Sequence, residues 1–311
     1  MIYEKLRTVP TADELIDLAF RRALRSATAK KRTIEVQRTM VRASTEILSD
    51  RLLKTVHDFP NFDELSPFYS ELTDILVGID ELRMSLSSLQ WAGNQIQSIA
   101  RETLRKMRSG DPVRLRKACY ARISSIVHEV DGNLSFLNDA RNILRKLPDI
   151  SDVPTIVVAG YPNVGKSSFV RYVTDARPEI ASYPFTTKGI YIGHFSRGGK
   201  QYQIIDTPGL LDRPLSDRNN IELQAITALR NVGTAALFLI DPAEHCGYPL
   251  TAQMRLLHEI TKTLEIPVVA VANKCDLPDF HGEWEYQIST ATGDGVDEVV
   301  GRLVEVIGTG N

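Results

Sequence analysis

The sequence predicts two parts with different patterns: an all-α helical bundle over residues 1–150, and over residues 151–311 an α/β domain with a mixed, mostly parallel, doubly wound sheet. Two observations predict this division. Apolar residues of the first part recur at helical spacing. The second part alternates short continuous apolar runs with helical segments, which is typical of parallel strands covered on both faces.

Start and stop signals divide the first part into five or six helices with short loops. Thr11 and Glu14 fit a capping box that opens the first helix just after Pro10. Residues 11–59 then form one long helix, or two with a break near residues 26–33. Later breaks are expected at three segments with Gly, Pro or Asp, namely "SGDP" (109–112), "DGN" (131–133) and the linker "LPDISDVP" (147–154).

Strands are expected wherever the second part has an apolar run. The first run, "TIVVAG" (155–160), leads into a helix that starts at "KSSF". A strand pair, two parallel strands and an amphipathic helix follow. These segments are "GIYIGHF", "YQIIDT", "AALFLID", "PVVAVANK" and "GVDEVVGRLVEVIG".

The composition is that of a folded, cytoplasmic protein. Hydrophobic residues make up 43% and charged residues 24% of the chain, which excludes wholesale disorder. No apolar run reaches the roughly 18 residues that a membrane-spanning helix needs, and the first twenty residues are too acidic for a targeting peptide. The three cysteines are scattered, which indicates neither a disulfide framework nor a zinc site. A reducing, cytoplasmic setting is expected.

The segment "GYPNVGKS" (160–167) matches the phosphate-binding pattern GxxxxGK[ST]. The expected strand precedes it and the expected helix follows it. Its glycines allow backbone N–H groups to turn toward phosphate oxygens. Lys166 is then placed to reach the β- and γ-phosphates, and the Ser167 hydroxyl to bind Mg²⁺.

Two later segments complete a predicted metal and γ-phosphate site. "DTPG" (206–209) follows an apolar run, so Asp206 is expected to hold Mg²⁺ through water and the Gly209 N–H to contact the γ-phosphate. "YPFTTKG" (183–189) lies between the motifs, where a mobile loop crosses such a site. One of its threonines can bind Mg²⁺ when the γ-phosphate is present, and we favour Thr187 over Thr186. The predicted metal ligands are Ser167, Thr187 and Asp206.

The segment "NKCD" (273–276) predicts guanine as the base. The carboxylate of Asp276 can accept hydrogen bonds from guanine N1–H and N2–H₂, a donor pair that adenine lacks. Asn273 is expected to brace the loops, the Lys274 stem to lie on the base, and "STATGDG" (289–295) to supply an N–H to guanine O6. Together the motifs predict GTP. The predicted nucleotide-binding residues are Asn163, Val164, Gly165, Lys166, Ser167, Ser168, Asp206, Gly209, Asn273, Lys274, Asp276, Ser289 and Thr290.

The motifs "GYPNVGKSSF", "YPFTTKG", "DTPGLLDRP" and "HCGY" resemble the nucleolar GTP-binding protein 1 family, the Nog GTPases of the Obg-like, translation-factor-class group. In the first part, "SPFYSELTDIL", "LRKACYAR" and "LPDI" also fit that family. The resemblance implies maturation of the large ribosomal subunit, with the helical domain bound to rRNA. The chain departs from that family by stopping one helix after the guanine loop, so a short form without the long C-terminal extension is expected, and a nucleolar location is not carried over. A cytoplasmic monomer is expected. At Thr290 an alanine is commoner in related GTPases, but only the backbone N–H is needed at that position, so guanine binding is expected to survive.

Leu210 stands where many switch proteins keep a glutamine that orients the attacking water. A leucine side chain cannot hydrogen-bond, which leaves three interpretations. The residue merely packs and GTP is not hydrolysed; or K⁺ held with the help of Asn163 supplies charge, as in some GTPases that this chain resembles; or the ribosomal particle supplies the missing group. Slow intrinsic hydrolysis that waits for a partner is the prediction. The predicted catalytic residues are Lys166, Thr187, Gly209 and Asn163.

Basic side chains favour the first part as the rRNA-binding part. Residues 1–150 hold 24 Lys and Arg against 20 Asp and Glu, a net charge of +4, whereas the rest of the chain holds 13 against 19, a net charge of −6. Solvated helix faces are the ordinary explanation of such residues, but here they form clusters. One cluster is Arg21, Arg22, Arg25, Lys30, Lys31 and Arg32. The predicted rRNA-binding residues are Arg101, Arg105, Lys106, Arg108, Arg114, Arg116 and Lys117.

The sequence therefore predicts a Mg²⁺-dependent GTPase switch, binding GTP and GDP, that acts on the large ribosomal subunit through its rRNA. No membrane partner is expected under this interpretation. Two alternatives remain open. One is a GTP-dependent binding module for a protein or a membrane surface, and the other is a GTP sensor that does not hydrolyse its ligand.

Overall fold

The computed structural model describes residues 2–27, 33–181, 183 and 189–309, except for the side chain of Ile221. Contacts divide the chain into two compact units. The helical unit comprises residues 2–65 and 76–145, and the α/β unit comprises residues 66–75 and 146–311. The predicted boundary lies between residues 150 and 151. Residues 66–75, which precede that boundary, nevertheless cluster with the α/β unit.

The first half forms six α-helices among its described residues, as predicted. The capping box is present, because Thr11 Oγ1 accepts from the Glu14 N–H at 3.3 Å and Glu14 Oε2 accepts from the Thr11 N–H at 2.9 Å. The helices are α1 (Ala12–Ser26), α2 (Thr33–Asp58), α3 (Pro67–Leu76), α4 (Ile79–Lys106), α5 (Pro112–Glu129) and α6 (Asp131–Leu144). Leu48 of α2 and Leu89 of α4 are fully buried in the core of the helical unit.

One predicted helix break lies elsewhere. The break between α5 and α6 falls at Val130, and "DGN" (131–133) forms the first turn of α6 rather than the connection before it. Asp131 Oδ1 accepts a hydrogen bond from the Ala12 N–H at 2.8 Å. The aspartate is thus held by a contact distant in sequence, which a local turn signal does not reveal.

The α/β unit contains a six-stranded sheet in the order β2-β3-β4-β1-β5-β6, which confirms the predicted fold class. Strands β4, β1, β5 and β6 are parallel, while β2–β3 and β3–β4 are antiparallel. The strands are β1 (Thr155–Ala159), β2 (Glu179–Ala181), β3 (Ile190–Arg197), β4 (Lys200–Asp206), β5 (Gly233–Ile240) and β6 (Val268–Ala272). The helices are α7 (Lys166–Val173), α8 (Asn220–Arg230), α9 (Leu250–Leu264) and α10 (Val296–Thr309).

The short segment 66–75 is anchored to the α/β unit by aromatic side chains. The Tyr69 hydroxyl donates to the Pro148 carbonyl at 2.8 Å and accepts from the Ile150 N–H at 3.0 Å. Phe68 stacks near Tyr183, with ring centroids 6.4 Å apart. The polypeptide therefore passes from the helical unit into the α/β unit and back before it enters the α/β unit finally.

The strand order places the loops of interest together. Strand β1 lies between β4 and β5, so the strands that follow it in the chain are added first on one side of β1 and then on the other. Ligands of open α/β sheets bind at such a point, beyond the carboxyl ends of the strands. The loops after β1, β4, β5 and β6 all leave from this edge. Within the described ranges, none of the helices combines the length and apolar character needed to cross a bilayer.

Candidate nucleotide-binding site

The loop between β1 and α7 requires glycine at both ends of its motif. Gly160 has φ of 131° and Gly165 has φ of 107°, backbone values that favour glycine. A Cβ at Gly165 would collide with the side-chain amide of Asn273, and one at Gly160 would press on the Leu239 carbonyl. The loop can therefore pass close to both neighbours only with these two glycines.

This loop borders a cleft of about 430 Å³. Lys166, the first residue of α7, is largely buried and donates to the carbonyls of Gly160 at 2.7 Å and Tyr161 at 2.8 Å. Burial lowers the pKa of its ammonium, while the charges of Asp206 and Asp212 act in the opposite direction. The cleft is lined by Pro162, Asn163, Gly165, Lys166, Ser167, Ser168, Pro208 and Asp212.

Ser167 and Asp206 form a pair of oxygen ligands that fits Mg²⁺. The Ser167 hydroxyl donates to Asp206 Oδ2 at 2.7 Å. Asp206 ends β4 and is fully buried, which raises the pKa of its carboxyl, although the bond from Ser167 opposes this shift. Among the described residues, Asp206 Oδ1 has no hydrogen-bond partner. An unpaired buried carboxylate oxygen is costly, and a hydrated cation would satisfy it.

The protein would supply only part of the coordination of such an ion. No group of three or more His, Cys, Asp or Glu side chains in the described part of the chain could hold a metal ion. Mg²⁺ is commonly held by one or two protein oxygens together with substrate phosphates and water, so the pair still fits. The third predicted ligand, Thr187, and its alternative Thr186 lie outside the described residues.

The segment after β4 explains why a leucine can occupy position 210. Leu210 is fully buried, and its N–H donates to the Thr207 carbonyl at 3.0 Å. Its side chain is not part of the cleft lining. Leu210 therefore packs into the α/β unit and cannot orient a water molecule over a phosphate.

The N–H of Gly209, predicted to contact a γ-phosphate, already has a partner. It donates to Asp212 Oδ2 at 2.7 Å. Asp212 lines the same cleft as Lys166. The predicted phosphate contact therefore requires Asp212 to move.

Arg218 is a residue of this segment that the sequence patterns did not reveal. Its side chain is fully buried and donates to the carbonyls of Gly209 and Leu210, both at 2.6 Å. Its guanidinium lies 3.6 Å from Asp212 and 3.8 Å from Glu222. Burial lowers the pKa of the guanidinium, and the adjacent carboxylates oppose that shift. An arginine in a polar loop is ordinarily exposed, so no local signal predicts this role.

Asn273 joins three loops at the edge of the sheet. Its Nδ2 donates to the Val164 carbonyl at 2.7 Å and to Thr290 Oγ1 at 3.1 Å. Its Oδ1 accepts from the Thr290 N–H at 3.0 Å. The side chain thus braces the loops as expected, connecting the phosphate loop to the two segments predicted to hold the base.

The other residues of the predicted base site are placed as follows. Asp276 is exposed. The Lys274 ammonium lies 2.6 Å from a carboxylate oxygen of the fully buried Asp241. Ser289 is buried and its Oγ accepts from the Ala291 N–H at 3.2 Å. The N–H of Thr290 is already used by Asn273, so the expectation that this amide serves guanine O6 does not fit the structure.

Replacing Asn273 with alanine is expected to lower the free energy of unfolding by about 2–3 kcal/mol, because the buried Val164 carbonyl and Thr290 N–H lose their partner. Denaturant titrations followed by circular dichroism measure this change. Asn231→Ala is a matched control, since Asn231 is exposed and donates one side-chain bond, to Glu71 at 2.8 Å. Equal stability losses in the two variants would contradict the bracing role.

The predicted rRNA-binding side chains of the helical unit differ in how far they are engaged. Lys106 is paired with Glu102 at 2.6 Å. Arg116 donates to Gln37 at 2.6 Å and lies over the Tyr120 ring, so it is largely a structural residue. The remaining predicted side chains are exposed, namely Arg101, Arg105, Arg108, Arg114 and Lys117. Lys30, Lys31 and Arg32 lie outside the described residues.

The phosphate loop and the loops that follow β4 and β6 of this sheet place the chain in the class of P-loop GTPase folds. A helical domain precedes this fold in the chain. Residues 3–151 match the family model described as NOG1 N-terminal helical domain, and residues 220–276 match the model described as Nucleolar GTP-binding protein 1 (NOG1). The chain belongs to the nucleolar GTP-binding protein 1 family, as the motifs indicated.

Several relatives align along most of this chain. An uncharacterized protein of Methanocaldococcus jannaschii is 39% identical over 89% of this chain and 81% of its own length. Nucleolar GTP-binding protein 1 of Drosophila melanogaster is 34% identical over 88% of this chain, and that of Saccharomyces cerevisiae 32% over 88%. The chain spans 44% of the length of each of these two named relatives.

The solved structures that align with this chain include a crystal structure of nucleolar GTP-binding protein 1 from Plasmodium falciparum. That protein is 35% identical, and the alignment covers 52% of this chain and 91% of the other, with a TM-score of 0.47.

Proposed function

We propose that the α/β unit binds GTP with Mg²⁺ and hydrolyses it to GDP and phosphate. The observation that carries this proposal is the bridge made by Asn273, which joins the phosphate loop at Val164 to the Thr290 loop. A base held by Asp276 would then lie beside phosphates held by the loop before α7. Relatives of the chain are named for GTP binding, which supports the same ligand.

Each part of the cleft has a role in this reaction. Lys166 neutralises charge on the β- and γ-phosphates, and backbone N–H groups from Asn163 to Ser168 cradle them. Asp206 and Ser167 hold the metal, which stabilises developing charge on the phosphates when bound. Thr187 is proposed as its third protein ligand. The loop 289–295 is proposed to offer an amide to guanine O6. The N–H groups of Thr290 and Ala291 already donate to Asn273 and Ser289, so one of these bonds would have to be released.

Intrinsic hydrolysis is proposed to be slow, because the buried Leu210 leaves no water-orienting group at its position. Two sources of activation remain. K⁺ can be held beside the exposed Asn163, or a group can come from the ribosomal particle.

Phosphate release measured in KCl and NaCl of equal ionic strength, with and without large-subunit particles, separates these sources. Stimulation by K⁺ that Asn163→Ala removes would identify the cation. Stimulation by particles in either salt would identify the partner. A rate that stays at the background of GTP alone under every condition would favour a sensor without hydrolysis.

The helical unit is proposed to contact rRNA of the large ribosomal subunit. Arg101 and Arg105 are exposed on α4, and Arg108 is exposed in the turn just after it. Guanidinium groups grip phosphate oxygens through paired hydrogen bonds. The chain passes between the two units at three points, next to residues 65, 75 and 145, which gives a nucleotide-dependent change in the α/β unit a covalent route to the helices. The resemblance carried by the motifs implies this partner, and the named relatives are called nucleolar.

Changing Arg101, Arg105 and Arg108 together to glutamate is expected to weaken binding to large-subunit particles at least about tenfold at moderate salt, since three phosphate contacts become repulsive. The rate of GTP hydrolysis without particles should not change. Binding is measured by co-sedimentation. Reversing Arg21, Arg22 and Arg25 makes the same change in charge at the other basic cluster, on α1, and shows which of the two surfaces the particle contacts. Particle binding that survives the α4 variant would place the contact surface elsewhere.

A protein partner is the second candidate, because Met84 and Trp91 on the same helix α4 are 62% and 43% exposed. Exposed apolar side chains favour a protein surface over a phosphate backbone. Binding that is insensitive to RNase and to salt would support this candidate. The cytoplasmic location stays a prediction, since the named relatives are called nucleolar.

A further inference from the structure

The phosphate cleft contains a negative charge that its proposed ligand would have to displace. Asp212 lines the cleft with Lys166 and Ser167, and only 14% of its side chain is exposed. Its charge acts on both neighbours: it opposes the burial that lowers the pKa of Lys166, and it adds to the burial that raises the pKa of Asp206. A carboxylate in this position is close to where phosphate oxygens would lie.

Asp212 also occupies one hydrogen-bond donor of the cleft. Its Oδ2 accepts from the Gly209 N–H at 2.7 Å, the donor expected to meet a γ-phosphate. A carboxylate and a terminal phosphate are both anions that accept hydrogen bonds, so they compete for that N–H and repel each other. A nucleoside diphosphate has no γ-phosphate and does not enter this competition.

The neighbouring Arg218 gives Asp212 a second partner. Its guanidinium lies 3.6 Å from Asp212 Oδ1, and its Nε has no hydrogen-bond partner among the described residues. The guanidinium also holds the carbonyls of Gly209 and Leu210 at 2.6 Å. If the Asp212 carboxylate leaves the Gly209 N–H, it can therefore accept from the Arg218 guanidinium instead and stay beside that positive charge.

We propose that Asp212 is a specificity-determining residue that holds the γ-phosphate position and makes the cleft favour a nucleoside diphosphate over a triphosphate. The inference rests on the proposed function, because it concerns the same nucleotide. Asp212 occupies the position of the terminal phosphate until that phosphate displaces it. Binding of the triphosphate then moves Asp212 toward Arg218 and frees the Gly209 N–H.

The test uses Asp212→Asn in the full chain, which removes the charge and keeps the shape. Dissociation constants for GDP and for a non-hydrolysable GTP analogue are measured by calorimetry with Mg²⁺. The affinity for the analogue relative to GDP should rise about tenfold, since a like charge is removed from the γ-phosphate position. The GDP constant itself should stay within about twofold, because the diphosphate does not reach that position.

Two further variants keep the result interpretable. Asp217→Asn removes the same charge from the same segment at an exposed residue outside the cleft lining, and it should leave the ratio unchanged. Asp212→Ala should shift the ratio in the same direction as Asp212→Asn, which covers the case in which one variant fails to fold. An unchanged ratio in the Asp212 variants, or a fall in analogue affinity alone, would overturn the inference. A wild-type chain that binds neither nucleotide overturns the proposed function and this inference with it.

Discussion

Replacing Lys166 with alanine is expected to weaken the binding of GTP and GDP at least about 100-fold. The ammonium is the one cation in the described lining of the cleft, where it is largely buried. Charge-assisted hydrogen bonds contribute about 1.5–3 kcal/mol each, and a loss of about 3 kcal/mol exceeds a factor of 100 in affinity. Calorimetric titration of both nucleotides measures the effect.

The fold should survive the change at Lys166. The ammonium donates to the buried carbonyls of Gly160 and Tyr161, and truncating the side chain opens the adjoining cleft to water that can replace it. Arg171→Ala is the matched control, since Arg171 is an exposed cation on the same helix α7. Nucleotide affinity that is the same in Lys166→Ala and Arg171→Ala would place the phosphates outside this cleft.

Replacing Asp276 with asparagine is expected to lower GTP affinity about 100-fold and to raise the affinity for xanthosine triphosphate. The carboxylate accepts from two guanine donors, whereas an amide sets its own N–H₂ against the guanine N2–H₂ and leaves donors unpaired. Xanthine carries a carbonyl at that position, which the amide can meet as a donor. Competition between the two triphosphates measures the change in preference.

Two controls define the result at Asp276. The exposed Glu283→Gln removes a charge from a nearby loop and should leave the preference for guanine intact. The Lys166→Ala variant should lose affinity for GTP and for xanthosine triphosphate to the same extent. If Asp276→Asn kept its preference for GTP, a different residue would have to recognise the base.

The sequence was sufficient for features that depend on local chemistry. The glycines at 160 and 165 are required by backbone conformation and close approach, so the residue types of this motif predict the shape of the loop. The strands predicted from apolar runs and the capping box of Thr11 and Glu14 were confirmed for the same reason. Each is a short segment whose residue types determine its conformation.

The features that the sequence did not predict all depend on contacts between distant residues. The sequence of segment 66–75 has the pattern of one more amphipathic helix. Its clustering with the α/β unit depends on the bonds of Tyr69 with Pro148 and Ile150, which are distant in sequence. The buried position of Arg218 requires the carbonyls of the preceding turn to converge on it. The Thr290 amide was assigned to the base because its pairing with Asn273 is invisible in the sequence.

Leu210 illustrates both cases. The sequence shows that position 210 lacks a water-orienting group, and the structure adds that the leucine is buried beneath the turn that Arg218 holds. Under the proposed function, the charged residue that lines the cleft from this segment is Asp212, beside Pro208. The turn then responds to the terminal phosphate through a carboxylate, while its leucine provides packing.

The central proposal is that a guanine nucleotide controls attachment to the ribosomal particle. Its most direct test is co-sedimentation of the purified chain with large-subunit particles, in a non-hydrolysable GTP analogue and in GDP. Retention with the analogue and release with GDP are expected. Equal sedimentation in both nucleotides, or no association in either, would contradict it.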